Sequence, residues 1–239
     1  MTGTVPVVLV PGMLCDAGLW EDVRGALGHP VVDVDLSAPS IGGMARQVLA
    51  ATEGPFVLAG LSLGAIVGFE VLRLAPERVA GFCAMSTNAG APTARQREQW
   101  AALDRLTAEG GFAEVVTERI LPTMFAAPEP PAERARTFLA MANRIGPEVF
   151  RAQLAAQATR TDAHEALAAV RAPALVLGGG ADALCPESFH TAIATAIPGA
   201  ERHTLPGAGH LLPLERPAEV AALLGDWLRR FSFRKELHA

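Results

Sequence analysis

Short apolar runs alternate with amphipathic stretches along most of the chain. Residues 5–10 are apolar up to Pro11-Gly12, which fits a strand buried on both faces of a parallel sheet. Residues 31–36, 56–59, 79–85 and 173–178 repeat that pattern, and a shorter strand is expected near 201–205. Between them the apolar positions take helical spacing. One helix is expected at 18–27, carrying Leu19, Trp20, Val23 and Leu27, and one at about 42–52, capped by Ser40. Another follows residue 62, with Ile66, Val67, Val71, Leu72 and Leu74 on one stripe, and two more are expected at 186–196 and 218–231. Residues 93–168 differ, being rich in Ala, Arg, Glu and Gln, with few β-branched runs. Pro122, Pro128, Pro130, Pro131 and Pro147 punctuate them, so short helices are expected around 93–109, 111–121, 131–144 and 147–158. Strands alternating with helices predict an α/β fold, a doubly wound, mostly parallel sheet of about six strands. Its core would comprise residues 1–90 and 170–239. Residues 91–169 would form a short helical cap inserted after the fifth strand, over the strand ends where ligands bind in such sheets.

Composition narrows the classes. The chain has 239 residues, half of them hydrophobic, enough for one large core. Its net charge of −5 is scattered, with no basic run to suggest nucleic acid or an anionic membrane as partner. Arg229, Arg230, Arg234 and Lys235 read as a solvated helix end. No apolar stretch approaches a membrane span, and the opening residues lack a basic start and enter a strand pattern at once. Cys15, Cys83 and Cys185 form no Cys-x-x-Cys pair. Reduced thiols and a cytoplasmic location are therefore expected. Six histidines without metal-ligand spacing predict no metal, and nothing calls for a cofactor.

The chemistry centres on Gly60-Leu61-Ser62-Leu63-Gly64. This is Gly-x-Ser-x-Gly between a buried strand and a helix, the context in which a sharp turn exposes a serine hydroxyl. The helix N-terminus adds partial positive charge that favours an oxyanion. The plainer reading is a tight, glycine-flanked turn with an incidental serine. A serine needs a base, and Pro206-Gly207-Ala208-Gly209-His210 offers one in a flexible loop after the last strand. His29, His164, His190, His203 and His238 are read as structural or solvated. The base needs an acid, and Asp182 follows the strand at 173–178 directly, on the same rim as Ser62. Its plainer reading is a turn or helix-capping aspartate. The order Ser62, Asp182, His210 is that of α/β-hydrolases. The amide of Leu63 and that of Met13, in the loop after the first strand, are the expected oxyanion donors. Cys15 and Cys185 are expected on the rim as free thiols, not nucleophiles.

These stretches resemble the α/β-hydrolase superfamily over nearly the whole chain. The likeness rests on residues 8–16 with Leu19-Trp20, residues 60–64, Arg160-Thr161-Asp162, residues 178–186, 207–211 and 214–217. The wording is nearest to small bacterial enzymes like 3-oxoadipate enol-lactonases and carboxylesterases. The resemblance implies a nucleophile, acid and base at Ser62, Asp182 and His210, and oxyanion amides at Met13 and Leu63. Pro11-Gly12 stands where His-Gly is usual, and the family's first two strands are missing. The chain lacks tyrosine and an aspartate nucleophile, which excludes the epoxide-hydrolase reading; dehalogenation fails on the nucleophile too. The expected activity is acyl transfer from a small ester, thioester or lactone. C–C bond hydrolysis of a diketone-like substrate, and non-catalytic ligand binding on the same fold, remain alternatives. Expected pocket walls include Leu14, Leu61, Trp100, Met124, Phe125 and Leu211. Of the arginines crowded into residues 91–169, Arg160 is the expected partner for any substrate carboxylate.

Overall fold

The computed structural model describes residues 5–236, with side chains described as far as Arg230. The opening residues 1–4, the side chains of Arg234 and Lys235, and His238 lie outside the described residues. Six strands form one sheet: β1 (Val7–Val10), β2 (Val31–Asp33), β3 (Phe56–Leu61), β4 (Val79–Met85), β5 (Ala174–Gly179) and β6 (Glu201–Leu205). Every pairing is parallel, in the order β2-β1-β3-β4-β5-β6. The 79–85 and 201–205 strands match expectation. β2 stops at Asp33 instead of residue 36, because this edge strand pairs with β1 over only three residues.

Alternate residues of each strand feed two separate cores. Val7, Leu9, Val57, Ala59 and Leu61 pack on one face with Trp20, Val23, Leu224 and Trp227. Val8, Val10, Leu58, Phe82 and Val176 pack on the other, against α2 (Ile41–Ala50), α3 (Leu63–Leu74) and α8 (Glu187–Ala196). Burial on both faces is why these strands read as unbroken apolar runs. The expected helix at 18–27 is a 3₁₀ turn, Ala17–Trp20, running into a short α1 (Glu21–Arg24). Asp16 caps that turn by accepting the Gly18 N–H, and Leu19, Trp20, Val23 and Leu27 are all buried as the pattern required.

The helical insertion follows the fourth strand, not the fifth, because the chain before residue 90 forms only four strands. It contains α4 (Ala94–Leu106), a short α5 (Phe112–Glu114) flanked by wide π-helical turns, and a long α6 (Ala132–Ala158). Gly146 inside α6 is non-helical, with φ 72° and ψ 171°, and Pro147 follows it. The segment is thus two helical arms meeting at a kink, close to the pair expected at 131–144 and 147–158. Val115, Ile120, Phe138, Met141, Phe150 and Leu154 of the insertion belong to the same buried cluster as one face of the sheet. The insertion is therefore packed onto the core. The chain closes with α7 (His164–Leu167), α9 (Leu212–Glu215) and α10 (Pro217–Glu236).

The strand order fixes where a site can form. From β1 the chain moves outward to β2, then returns across β1 to β3 and proceeds the other way. Loops leaving the ends of β1 and β3 diverge and open a crevice between them. Val10 and Gly60 are paired in register at that point, so the loop carrying Met13 and the turn carrying Ser62 face each other.

Candidate active site

Ser62 joins β3 to α3 with φ 54° and ψ −113°, a conformation sparsely populated for any residue with a Cβ. Such a backbone costs on the order of 1–3 kcal/mol and persists only where its surroundings determine it. Here the Ser62 N–H donates to Met85 O at 2.8 Å, and its carbonyl accepts from Ala65 N, Ile66 N and Thr87 Oγ1. The flanking glycines are required by space. A Cβ on Gly64 would lie 2.2 Å from Val10 O, and one on Gly60 would lie 2.6 Å from Ala65 N. The backbones of β1, β3 and α3 converge there, and the serine is left half-buried at the floor of a cavity.

Asp182 lies in the loop after β5 and His210 in the loop after β6, and both are buried. His210 Nδ1 and Asp182 Oδ2 are 2.9 Å apart. Because the carboxylate only accepts, Nδ1 carries the proton and Nε2 is left able to accept one. The other oxygen of Asp182 accepts the Leu184 and Cys185 N–H groups, each at 2.9 Å. Burial works against charge on both partners. The charge and hydrogen bond of His210, with those two amides, outweigh it and hold Asp182 below the ordinary carboxylate range. In the same way the Asp182 carboxylate lifts His210 above its ordinary value, against burial. Asp162, the rival acid, is exposed and bonded to His164 instead.

Ser62 and His210 open on one cavity of about 500 Å³. The Ser62 hydroxyl makes no hydrogen bond with a described residue, and Ser62 and His210 both line the cavity. Among the residues expected as walls, Leu61, Trp100, Met124, Arg160 and Leu211 line it, as does Met13. Two expected walls do not. Leu14 has φ 61°, and its side chain is fully buried in the sheet-side core. Phe125 likewise turns into the core, edge-on to Phe138. In both, a bend in the loop aims one residue at the cavity and sends its neighbour inward. Neither the Met13 nor the Leu63 N–H is used by a described residue, whereas the Leu14 N–H donates to Gln153 Oε1 at 3.0 Å.

Cys185 does line the cavity, and a ligand atom from each of Asp182, Cys185 and His210 lies within 4.8 Å of the others. An ion bound there would compete for the atoms the acid–base pair uses. Cys15 is not on the rim: it is buried in the core, where burial pushes its thiol far up. The two thiols should therefore behave differently. A thiol-specific reagent small enough for the cavity should lower any hydrolytic activity of the wild type. Cys185→Ser should remain active and become resistant, while Cys15→Ser should lower Tm and leave the sensitivity in place. Continued sensitivity of Cys185→Ser would contradict this assignment.

Sequence reasoning missed the residues that hold the loops. Gln153, on the second arm of α6, accepts from Leu14 N and donates to Leu36 O, tying the Met13 loop to the chain after β2. Glu215 is buried and accepts Gly209 N at 2.9 Å and Ala126 N at 3.1 Å, clamping the His210 loop to the insertion. Leu211 N donates to Met124 O beside it. His190, which the sequence reading gives as structural or solvated, is buried, with its pKa pushed down to about 4 chiefly by burial, and its Nε2 accepts the Thr87 N–H. Gln153 and His190 meet partners far along the chain, and Glu215 joins Gly209, six positions back, to Ala126, 89 positions back, so no local pattern marks these ties.

Residues 7–223 match the profile of the Alpha/beta hydrolase family. The fold superposes on an esterase from Thermogutta terrifontis with a TM-score of 0.88 and 29% identity, covering 96% of this chain and 92% of that one. It superposes on the enol-lactonase from Burkholderia xenovorans LB400 with a TM-score of 0.81 and 21% identity, covering 95% and 92%. That second likeness is one of fold. The candidate carbamate hydrolase RutD of Klebsiella pneumoniae (strain 342) is 26% identical over 234 residues, 87% of this chain and 85% of the relative. Among the described residues no helix is long and apolar enough to cross a membrane. With the profile spanning nearly the whole chain and the sheet built in the same way, this protein belongs to the alpha/beta hydrolase family and is a hydrolase.

Proposed function

We propose that the protein is a serine hydrolase that cleaves a small ester, thioester or lactone through an acyl-enzyme. The observation that carries this reading is the strained Ser62 elbow opening on the same cavity as a buried, paired Asp182–His210 couple. Ser62 Oγ attacks the carbonyl carbon and passes its proton to His210 Nε2, while Asp182 keeps Nδ1 protonated and stabilises the imidazolium. The tetrahedral oxyanion is taken by the amides of Met13 and Leu63, the latter at the N-terminus of α3. Collapse expels the alcohol or thiol, which receives the proton from His210. Water then attacks the acyl-enzyme by the same steps in reverse order. Residues 91–169 act as a cap over a core of residues 1–90 and 170–239, and the substrate is a small molecule.

Steady release of p-nitrophenol from a short-chain p-nitrophenyl ester, preceded by a burst, is the expected result. An inert protein that still binds such esters would favour the ligand-binding alternative. Cleavage of diketones in preference to esters would favour C–C hydrolysis.

The acid–base pair also sets the pH response. Proton transfer needs neutral His210, so kcat/KM should rise with pH along a limb lying above the ordinary histidine value near 6.5. In Asp182→Asn the residual activity should show that limb shifted to lower pH. The stability sign is opposite. His210 is raised by folding, so its contribution is complete below about 6.5 and fades as pH climbs through the raised value. Tm of the wild type should fall over that interval more than Tm of His210→Ala. Equal slopes would show that the pair is not ionised in the folded state.

A further inference from the structure

Arg160 stands out among the cationic side chains of the insertion. Arg144 pairs with Asp16, Arg151 pairs with Asp104, and Arg95, Arg97 and Arg136 are exposed. Arg160 is only 6% exposed, lines the catalytic cavity and has no carboxylate within ion-pair reach among the described residues. Its guanidinium lies over the Trp100 ring, 5.4 Å from the centroid. It donates to two neutral acceptors, Gln157 Oε1 at 3.2 Å and Gln96 Oε1 at 3.3 Å, and its buried Nε has no partner among the described residues. A guanidinium carries five donors, so three are unused. Burying a cation without a carboxylate partner is costly: burial pushes its pKa down, Cys185 beside it opposes that shift, and the charge of Arg97 adds to it. The cavity lining holds a second cation, Arg119, and no Asp or Glu.

A purely structural role, tying the end of α6 to α4, explains the two glutamine contacts. It does not explain a cation held on a cavity wall with no described carboxylate within ion-pair reach. We infer that Arg160 is the carboxylate-binding group of the substrate site, and that the enzyme acts on esters or lactones bearing a free carboxylate on the acyl side. This rests on the serine-hydrolase reading above and names its substrate class. The ring of Trp100 and the two glutamines hold the guanidinium, and each terminal nitrogen keeps one N–H for a carboxylate that completes its hydrogen bonds. The rest of the acyl chain runs along Leu61, Met124 and Leu211 toward Ser62.

Kinetics with monomethyl glutarate and methyl valerate, and with shorter and longer homologues of each, test this. These pairs differ in a terminal carboxylate against a methyl group. A charge-assisted hydrogen bond made in a dry site predicts a preference of about 10- to 100-fold in kcat/KM for the half-ester at the best length. The preference should collapse toward one in Arg160→Gln and persist in part in Arg160→Lys. A binding measurement that needs no turnover runs beside it. Monomethyl glutarate should raise the Tm of Ser62→Ala and leave that of Ser62→Ala/Arg160→Gln unmoved. No preference in the wild type, or a preference that survives Arg160→Gln, would overturn the inference. A Tm rise that depends on Arg160 in a protein inactive on every ester would retain the carboxylate site and overturn the hydrolase reading instead.

Discussion

Replacing Ser62 with alanine should lower kcat on the order of 10⁶-fold, leaving only what the oxyanion donors and binding supply. The expectation rests on geometry that no other hydroxyl among the described residues shares. Among the described residues three non-glycine positions have positive φ: Leu14, Ser62 and Ser86. Ser86 is fully buried, with its Oγ lacking any partner, and so is unavailable to substrate. Ser62 alone combines the strained turn, the helix N-terminus and the cavity. A fluorophosphonate should therefore label one residue in the wild type and none in Ser62→Ala. The variant should fold, because the turn is held through the Ser62 backbone and alanine keeps the Cβ. Labelling at another site, or activity of Ser62→Ala near that of the wild type, would remove Ser62 as nucleophile.

Asp182→Asn should cost about 10⁴ in kcat. The carboxylate holds the His210 tautomer through Oδ2 and accepts two amides through Oδ1. An asparagine can satisfy those amides with its carbonyl, so the loop should survive. Its NH₂ would then face Nδ1 and force that nitrogen to accept, placing the proton on Nε2, where the base is needed. The loss is thus one of tautomer and charge rather than of fold. Because the three side chains act as one unit, Ser62→Ala/His210→Ala should be hardly worse than either single change. Losses that multiply would mean that they do not share a mechanism. Asp162→Asn is the control. Its exposed carboxylate meets His164 and not His210, and its effect on kcat should be small.

Much of this was legible along the chain for one physical reason: the signals were local. An unbroken apolar run reports a strand buried on both faces, and the runs at 79–85 and 201–205 became β4 and β6 with the same bounds. The elbow is also local, since five residues between a strand and a helix dictate the close approach that only Gly60 and Gly64 permit. Asp182 and His210 were legible because each lies just past a strand, and a parallel sheet brings all such ends to one rim. Sequence alone therefore determined the fold class, the family resemblance and the three side chains proposed for the chemistry.

The tertiary structure decided what depends on partners distant in sequence. Leu14 and Met13 are neighbours of like character, and only the bend at Leu14 sends one to the core and the other to the cavity. Cys15 and Cys185 looked alike on paper; packing buried the first and placed the second beside His210. Gln153 meets Leu14 across 139 positions, and Glu215 reaches Ala126 across 89, separations at which no periodicity carries information. Arg160 shows the limit most plainly. Its sequence setting suggested a role, but a charge is made consequential by the counter-ion it lacks. That absence is a property of the folded surroundings, where burial strips away water and no described carboxylate comes within ion-pair reach.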